Sequence, residues 1–358
     1  MRILIVKLSS IGDIVHTLPA LAAIRHALPT AEISWAVEKR SSAILQDNHF
    51  LDRLIEVDTK ALRRWPTSGE TLLAPREQFR RLRASSFDIA IDFQGLLKSA
   101  SLARISGAKQ IFGFSRDHLR EPASRILLNN AVKVKPGLHV IRKNLALAEG
   151  ALNIPIPQSV GEFEFPIAIG PVFDREAAQV IGEPGRPFAI LNPGGGWVTK
   201  NWSAERFGAL ADELWTNLRM SSLVTYGPGE LELATRVTKA SRSGKARAIS
   251  ISLKGFVALA RRADVYVGGD TGPTHLAVAA GTPVVGLFGP TEWWRNGSPR
   301  PADICVERED IGCRENCHRR TCSNWICMEI GVDRVAAAVG ERLSKTGKTK
   351  GALISFGT

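Results

Sequence analysis

At 358 residues the chain is longer than one ordinary domain and suits two, and an apolar share of 44% is enough for two cores. Lys and Arg number 47 against 35 Asp and Glu, a formal charge of +12, so an anionic partner is expected. Nucleic acid ranks last among such partners, because no zinc-finger or RNA-binding signature accompanies the charge; no run of about 18 apolar residues occurs, which excludes a membrane-spanning helix.

Ile3–Val6 reads as a fully buried parallel strand. The first residues resemble an export signal, but Lys7, Ser9, Ser10 and Asp13 interrupt the apolar run too early, so a strand of a cytoplasmic protein is expected. A loop over Lys7–Asp13 leads to a helix from Ile14 to about Ala27, stopped by Leu28-Pro29. Ile33–Val37, Ile55–Val57 and Ile89–Asp92 are further strands. Strands separated by helix-length segments predict a doubly wound α/β sheet, whose ligands bind beyond the carboxyl ends of the strands. Asp13 lies at such a position, and its residue type allows two uses there: a helix cap or a general base.

Residues 60–83 are strongly basic, with Arg63, Arg64, Arg76, Arg80, Arg81 and Arg83. Scattered charge is usually a solvated helix face, but the adjacent forks of Arg63 and Arg64 suit phosphate or carboxylate. Lys98, at a loop-to-helix junction, and Arg120 and Arg142 extend this set, and together they predict an anion-lined face on the first domain. The prolines of Ile154–Gln158 open a linker, and the boundary falls between about Asn153 and Pro187.

Phe188–Leu191 restarts the strand pattern. Gly194–Gly196 form a flexible connection or a loop wrapped around a ligand, and Lys200 close behind favours the ligand; Ser203 caps the next helix. Leu223–Tyr226 is a strand followed by the turn Gly227–Glu230, and Ile249–Leu253 leads to a helix over Val257–Arg262. Val265–Val267 is a buried strand, Asp270-Thr271 sit where a helix N-cap belongs, and Pro273 suits the first turn. The short helix runs from His275 to about Ala280, Gly281 closes it, and Thr282–Phe288 is the next strand. Such a strand, Gly-rich turn and helix N-terminus make either an anion site or an ordinary strand-to-helix turn.

Of the five cysteines, Cys313, Cys317, Cys322 and Cys327 follow one another at spacings of three, four and four residues. Without a C-x2-C pair, structural thiols are favoured, with a bound metal second and a local disulfide as the alternative. Val332–Leu343 is helical, with Val335, Ala338, Val339 and Leu343 on one face, and 345–358 is a basic tail.

Three motifs together resemble a known family: Lys7-x-Ser9-Ser10-x-Gly12-Asp13, Lys200-x-Trp202, and Asp270-Thr271-Gly272-Pro273-Thr274-His275 followed by Gly281-Thr282-Pro283 and Phe288-Gly289-Pro290-Thr291. They are similar to those of the ADP-heptose-dependent lipopolysaccharide heptosyltransferases, glycosyltransferase family 9. The resemblance implies the GT-B fold: two Rossmann-like doubly wound domains facing a central cleft, 1–165 for the acceptor and 166–344 for the nucleotide sugar, with the terminal helix packing back on the first. It implies transfer with inversion, Asp13 as catalytic base, and ADP-heptose held by Thr199, Lys200, Glu230 on the ribose (with Glu232 as the alternative), Asp270, Thr271, Gly272 and His275. No metal or other cofactor is expected, since Lys200 and the helix dipole would meet the charge of the leaving ADP.

Arg63-Arg64-Trp65, Asp92-x-Gln94-Gly95-Leu96-x-Lys98-Ser99-Ala100 and Arg120-Glu121-Pro122 are similar to the heptosyltransferase I branch, which adds the first heptose to Kdo on lipid A. That implies an acceptor site of Arg63, Arg64, Lys98, Arg120 and Arg142, and a peripheral contact with the cytoplasmic face of the inner membrane. The cysteine-rich segment occurs in many members of the broader family and is absent from others of this branch, which implies a structural role. The alternatives are heptosyltransferase II or a relative with another donor or acceptor, a nucleotide-sugar epimerase, and a non-catalytic nucleotide-binding module.

Overall fold

In Arg2–Val6 (β1) every residue after Arg2 is buried, as an apolar run must be at the centre of a parallel sheet. It opens the computed structural model, which describes residues 1–58, 80, 82–182, 185–314 and 317–346. The chain divides into two units, Met1–Ala168 and a second beginning at Ile169.

In the first unit β1 is followed by Ile11–Val15 (α1), Leu18–Ala27 (α2), Glu32–Glu38 (β2), Arg53–Val57 (β3) and Ile89–Asp92 (β4). Leu97–Ile105 (α3), Gln110–Phe114 (β5), Asn130–Val132 (β6) and Val140–Leu152 (α4) complete it. The strands run parallel in the order β3-β2-β1-β4-β5-β6. Successive strands build outward from β1 to one side, and then the chain crosses to the other side through β4. The connections leave β1 and β4 in opposite directions, so the crevice for a ligand lies at their carboxyl ends.

The second unit repeats the plan. Pro171–Ile181 (α5) precedes Phe188–Asn192 (β7), Ala204–Leu218 (α6), Ser221–Thr225 (β8), Leu231–Ala240 (α7), Ala246–Ile249 (β9) and Leu253–Ala260 (α8). Val265–Gly269 (β10), Gly272–Ala280 (α9), Val284–Phe288 (β11), Trp293–Asn296 (α10), Ile304–Glu307 (β12) and Val332–Ser344 (α11) follow. The parallel order is β12-β11-β10-β7-β8-β9, which read from its other end is the order of the first sheet. Its crevice therefore lies at the ends of β7 and β10.

Leu191, Phe207, Leu210, Val224, Val267, Val285 and Leu287 fill the second core, and full burial of such side chains contributes about 1.5–3 kcal/mol each. Trp202 belongs to the same core: its ring is edge-on to Phe207 and its Nε1 donates to the Ile330 carbonyl at 2.9 Å. Helix α11 packs on α6, β11 and β12 and buries Val335, Ala338, Val339 and Leu343 in that core. The apolar face of the terminal helix is thus taken up by the core of the second unit.

Two elements differ from the sequence reading. The helix expected from Ile14 to Ala27 is split at His16-Thr17. Pro19 restarts the helix in the first turn of α2, and Asn144 of α4 donates to the His16 carbonyl (3.0 Å) and the Thr17 hydroxyl (3.1 Å), taking up the groups left at the break. Helix α5 occupies part of the stretch read as linker, beginning at Pro171. Among the described residues no helix is long and apolar enough to cross a membrane.

Candidate functional site

The crevice of the first unit is built on charge at the ends of two apolar strands. Lys7 follows β1 directly and turns inward, and its Nζ donates to the Phe93 carbonyl at 2.9 Å. Asp92, the last residue of β4, is fully buried. Its Oδ1 accepts from the backbone N–H groups of Gln94 (2.9 Å) and Gly95 (3.2 Å), and its Oδ2 accepts from the Ser99 hydroxyl (3.0 Å). Burial pulls the Lys7 pKa down, the Asp13 and Asp92 carboxylates oppose that, and Arg120 adds to the drop. Burial also pushes the Asp92 pKa up to about 6, against its hydrogen bonds and the charge of Lys7.

An acid whose pKa is raised by folding binds its proton more tightly when folded. Its contribution to stability is therefore greatest when it is neutral and is lost as pH rises from the ordinary value of 3.8 through about 6. The whole shift corresponds to about 3 kcal/mol, with roughly half of it falling between pH 5 and 7. Thermal unfolding of wild type and Asp92→Asn across pH 5–8 should show the wild type losing stability relative to the variant as pH rises. A difference independent of pH would exclude this role of Asp92.

Asp13 is the third residue of α1. Its Oδ2 accepts from the backbone N–H (2.9 Å) and the hydroxyl (3.0 Å) of Ser10, so Ser10 is the N-cap and Asp13 closes the capping box. Its Oδ1 lies 3.9 Å from Lys7 Nζ, and the side chain remains 36% exposed. The two readings of Asp13 are compatible: one oxygen fixes the loop, and the other stands beside Lys7 on a part-exposed side chain held in one orientation. Gln94 Oε1 fixes the same loop from β4, accepting from the N–H groups of Leu8 (3.0 Å) and Ser9 (3.3 Å).

The expected acceptor residues separate. Arg63 and Arg64 lie outside the described residues. Lys98 lies 3.5 Å from the buried carboxylate of Glu38, which ends β2. Arg120 is exposed, and its charge acts on Lys7. Its neighbour Glu121 accepts from the Leu97 N–H at 2.7 Å, which ties this segment to the start of α3. Arg142 donates to the carbonyls of Pro157 and Gln158, both at 2.5 Å, and stacks over Phe163 at 4.7 Å. Two of its N–H donors thus fasten the segment after α4.

In the second unit, pairing of Asn192 with Gly268 sets the ends of β7 and β10 side by side. Their loops deliver Lys200 and Asp270, whose Nζ and Oδ2 are 2.6 Å apart; Nζ also donates to the Asp270 carbonyl at 3.1 Å and lies 4.3 Å from the centre of the Trp197 ring. Gly269 permits this approach, since a Cβ there would come within 2.9 Å of the Lys200 carbonyl oxygen. The other Asp270 oxygen is 3.2 Å from His275 Nε2. Burial pushes the Asp270 pKa up, but the hydrogen bonds and charges of His275 and Lys200 outweigh it and hold the carboxyl well below the usual range. Asp270 is therefore a fixed anion that orients Lys200. Both Asp270 and His275 are buried.

Thr271 is the N-cap of α9, but its hydroxyl donates to Asn192 Oδ1 at 3.3 Å and makes no capping bond. An α-helix leaves its first N–H groups without intrahelical partners, and here they meet the crevice beside Lys200. Helix α9 ends on Gly281, whose φ of +86° is the left-handed cap expected of glycine. Glu230 Oε2 accepts from the Gly227 N–H at 2.8 Å, and its carboxylate lies where a Cβ on Gly194 would collide with it; Glu232 is exposed on the first turn of α7. The Thr199 hydroxyl donates to the Arg319 carbonyl at 2.7 Å and its own carbonyl accepts from Trp325 Nε1 at 2.9 Å, so it braces the loop.

None of the five cysteines is in a disulfide, so the local disulfide loop is not formed. Cys327 is buried, and burial followed by the proximity of Cys317, Cys313 and Cys322 pushes its thiol pKa up. Among the described residues, no group of three or more His, Cys, Asp or Glu side chains is arranged to hold a metal. Sequence reading missed that Lys7 and Asp92 are buried charges. The available signal was a charged residue ending an otherwise apolar strand.

Two successive doubly wound domains, the second with a lysine beside a helix N-terminus at its switch point, are the architecture of the GT-B fold. Comparison with known proteins narrows the class. Residues 76–326 match the profile of glycosyltransferase family 9 (heptosyltransferase). The lipopolysaccharide heptosyltransferase 1 of Pseudomonas aeruginosa is 33% identical over 326 residues, covering 90% of this chain and 88% of that one. The structure of the E. coli heptosyltransferase WaaC with ADP superposes with a TM-score of 0.73 at 25% identity, covering 86% of this chain and 93% of that one. A family 9 glycosyl transferase of Veillonella parvula shares the fold, with a TM-score of 0.80 at 22% identity over 96% and 97% of the two chains. The chain belongs to glycosyltransferase family 9, the heptosyltransferases.

Proposed function

We propose that the enzyme transfers L-glycero-D-manno-heptose from ADP-heptose to Kdo of the lipopolysaccharide inner core, with inversion, as a heptosyltransferase I. The observation that carries this reading is the Lys200–Asp270 pair set beside the N-terminus of α9. In this scheme Asp13 Oδ1 takes the proton of an acceptor hydroxyl, and the oxygen attacks the anomeric carbon through an oxocarbenium-like transition state as the bond to the diphosphate breaks. ADP leaves, and its growing charge is met by the Lys200 ammonium and the Thr271-Gly272 backbone, where fixed donors cost no reorganisation. Asp270 and His275 hold Lys200 in place, and Glu230 binds the ribose.

Kdo-lipid A carries carboxylates and phosphates, and it is bound by Lys98 and Arg120 together with Arg63 and Arg64. The relative in Pseudomonas aeruginosa supports this branch by identity along nearly the whole chain, and the E. coli structure with ADP supports the nucleotide. The enzyme works in the cytoplasm, and a lipid-linked acceptor together with the charge of +12 draws it to the inner membrane surface.

The test is ADP release from ADP-heptose with and without Kdo-lipid A. Release that depends on Kdo-lipid A is expected. Release only with heptosylated Kdo-lipid A would assign heptosyltransferase II, and turnover of the donor without any acceptor would assign an epimerase.

A further inference from the structure

Arg320 belongs to none of the family motifs, yet it lies at the donor loop. Its guanidinium carbon is 5.2 Å from the centre of the Trp197 ring, the ring over which Lys200 Nζ sits at 4.3 Å. The two cations are therefore no more than about 10 Å apart. The placement is built, because the segment carrying Arg320 is stitched down on both sides. The Thr199 hydroxyl holds the Arg319 carbonyl (2.7 Å), Trp325 Nε1 holds the Thr199 carbonyl (2.9 Å), and the His318 N–H holds the Pro290 carbonyl (2.9 Å). Cys327 anchors the end of the segment, with its sulfur 3.0 Å from where a Cβ on Gly289 would stand.

Charge balance gives this arrangement a purpose. Lys200 shares the Asp270 carboxylate at 2.6 Å, so part of its charge is already matched before a diphosphate arrives. Among the described residues no carboxylate pairs with Arg320. A guanidinium also offers a planar fork that fits two phosphate oxygens at once. We propose that Arg320 is a second cation for the diphosphate of the donor, carried to it by the cysteine-rich segment and steadied on Trp197. The proposal rests on the donor-site reading given above.

The test is calorimetric titration of ADP, AMP and adenosine into wild type, Arg320→Ala, Arg320→Lys and Lys200→Ala. Arg320→Ala should weaken ADP roughly tenfold, as loss of one charge-assisted contact does, should weaken AMP less, and should leave adenosine unchanged. Arg320→Lys should recover part of the loss, and the melting temperature of both Arg320 variants should stay at the wild-type value. An ADP affinity within twofold of wild type, or equal losses for ADP and adenosine, would overturn the role. If Lys200→Ala weakens ADP while Arg320→Ala does not, only the Arg320 proposal fails. If neither variant changes ADP affinity, the donor-site reading fails with it.

Discussion

Asp13→Asn should lower turnover by about 10³-fold while leaving ADP affinity and thermal stability near their wild-type values. The substitution is close to isosteric, and the amide oxygen can still accept from Ser10, whose N–H and hydroxyl are 2.9 and 3.0 Å from Asp13 Oδ2 in the native loop. The capping function therefore survives in part, at a cost of about 1 kcal/mol or less. What is lost is basicity, since an amide cannot take a proton from an attacking hydroxyl. Steady-state rates with saturating donor and acceptor, read beside calorimetry with ADP, separate the two functions. A rate within tenfold of wild type would remove Asp13 from the role of base. A parallel fall in ADP affinity would show that the change had reached the other unit and would void the comparison.

Lys200→Ala should fail in two ways at once. Loss of a charged contact to the diphosphate should weaken ADP roughly 100-fold. The same change strips Asp270 of its partner at 2.6 Å inside a site where the carboxylate side chain is only 6% exposed. A buried carboxylate that loses its cation typically costs a protein about 3–5 kcal/mol, and His275 at 3.2 Å offsets only part of that. The double variant Lys200→Met, Asp270→Asn distinguishes the effects: stability should return toward wild type because no charge remains uncompensated, while ADP affinity stays low. Denaturant unfolding gives the first quantity and calorimetry the second. An ADP affinity unchanged in Lys200→Ala would end the assignment of Lys200 to the donor phosphates.

The inner strands were legible because they are apolar on both faces. Ile3–Val6 and Val265–Val267 admit no other reading, and both lie at the centres of their sheets. Farther out the signal fades. The apolar run of Gln110–Phe114 is interrupted by Gly113, where a Cβ would crowd the Leu128 side chain at 2.6 Å, and Asn130–Val132 is only three residues long. The break at His16-Thr17 depends on Asn144, which is 128 residues away from His16, and nothing local announces it. The site shows the same division. The glycine-rich turn and the start of α9 are local features and were readable. That Asp270 would grip Lys200, 70 residues earlier, follows only from the parallel pairing of β7 with β10. Arg142 and Thr199 have the side chains of ligand contacts, and both were claimed by distant carbonyls, of Pro157 and Arg319, that sequence does not place.

The repeated strand order has a bearing on how the protein unfolds. Each sheet closes its own hydrophobic interior, so two cooperative blocks are expected on unfolding. Asp92 and Lys200 lie in different blocks. Their substitutions should then act on separate transitions, and a scanning calorimeter that resolves two would assign each ionic cluster to the half of the molecule that it sustains.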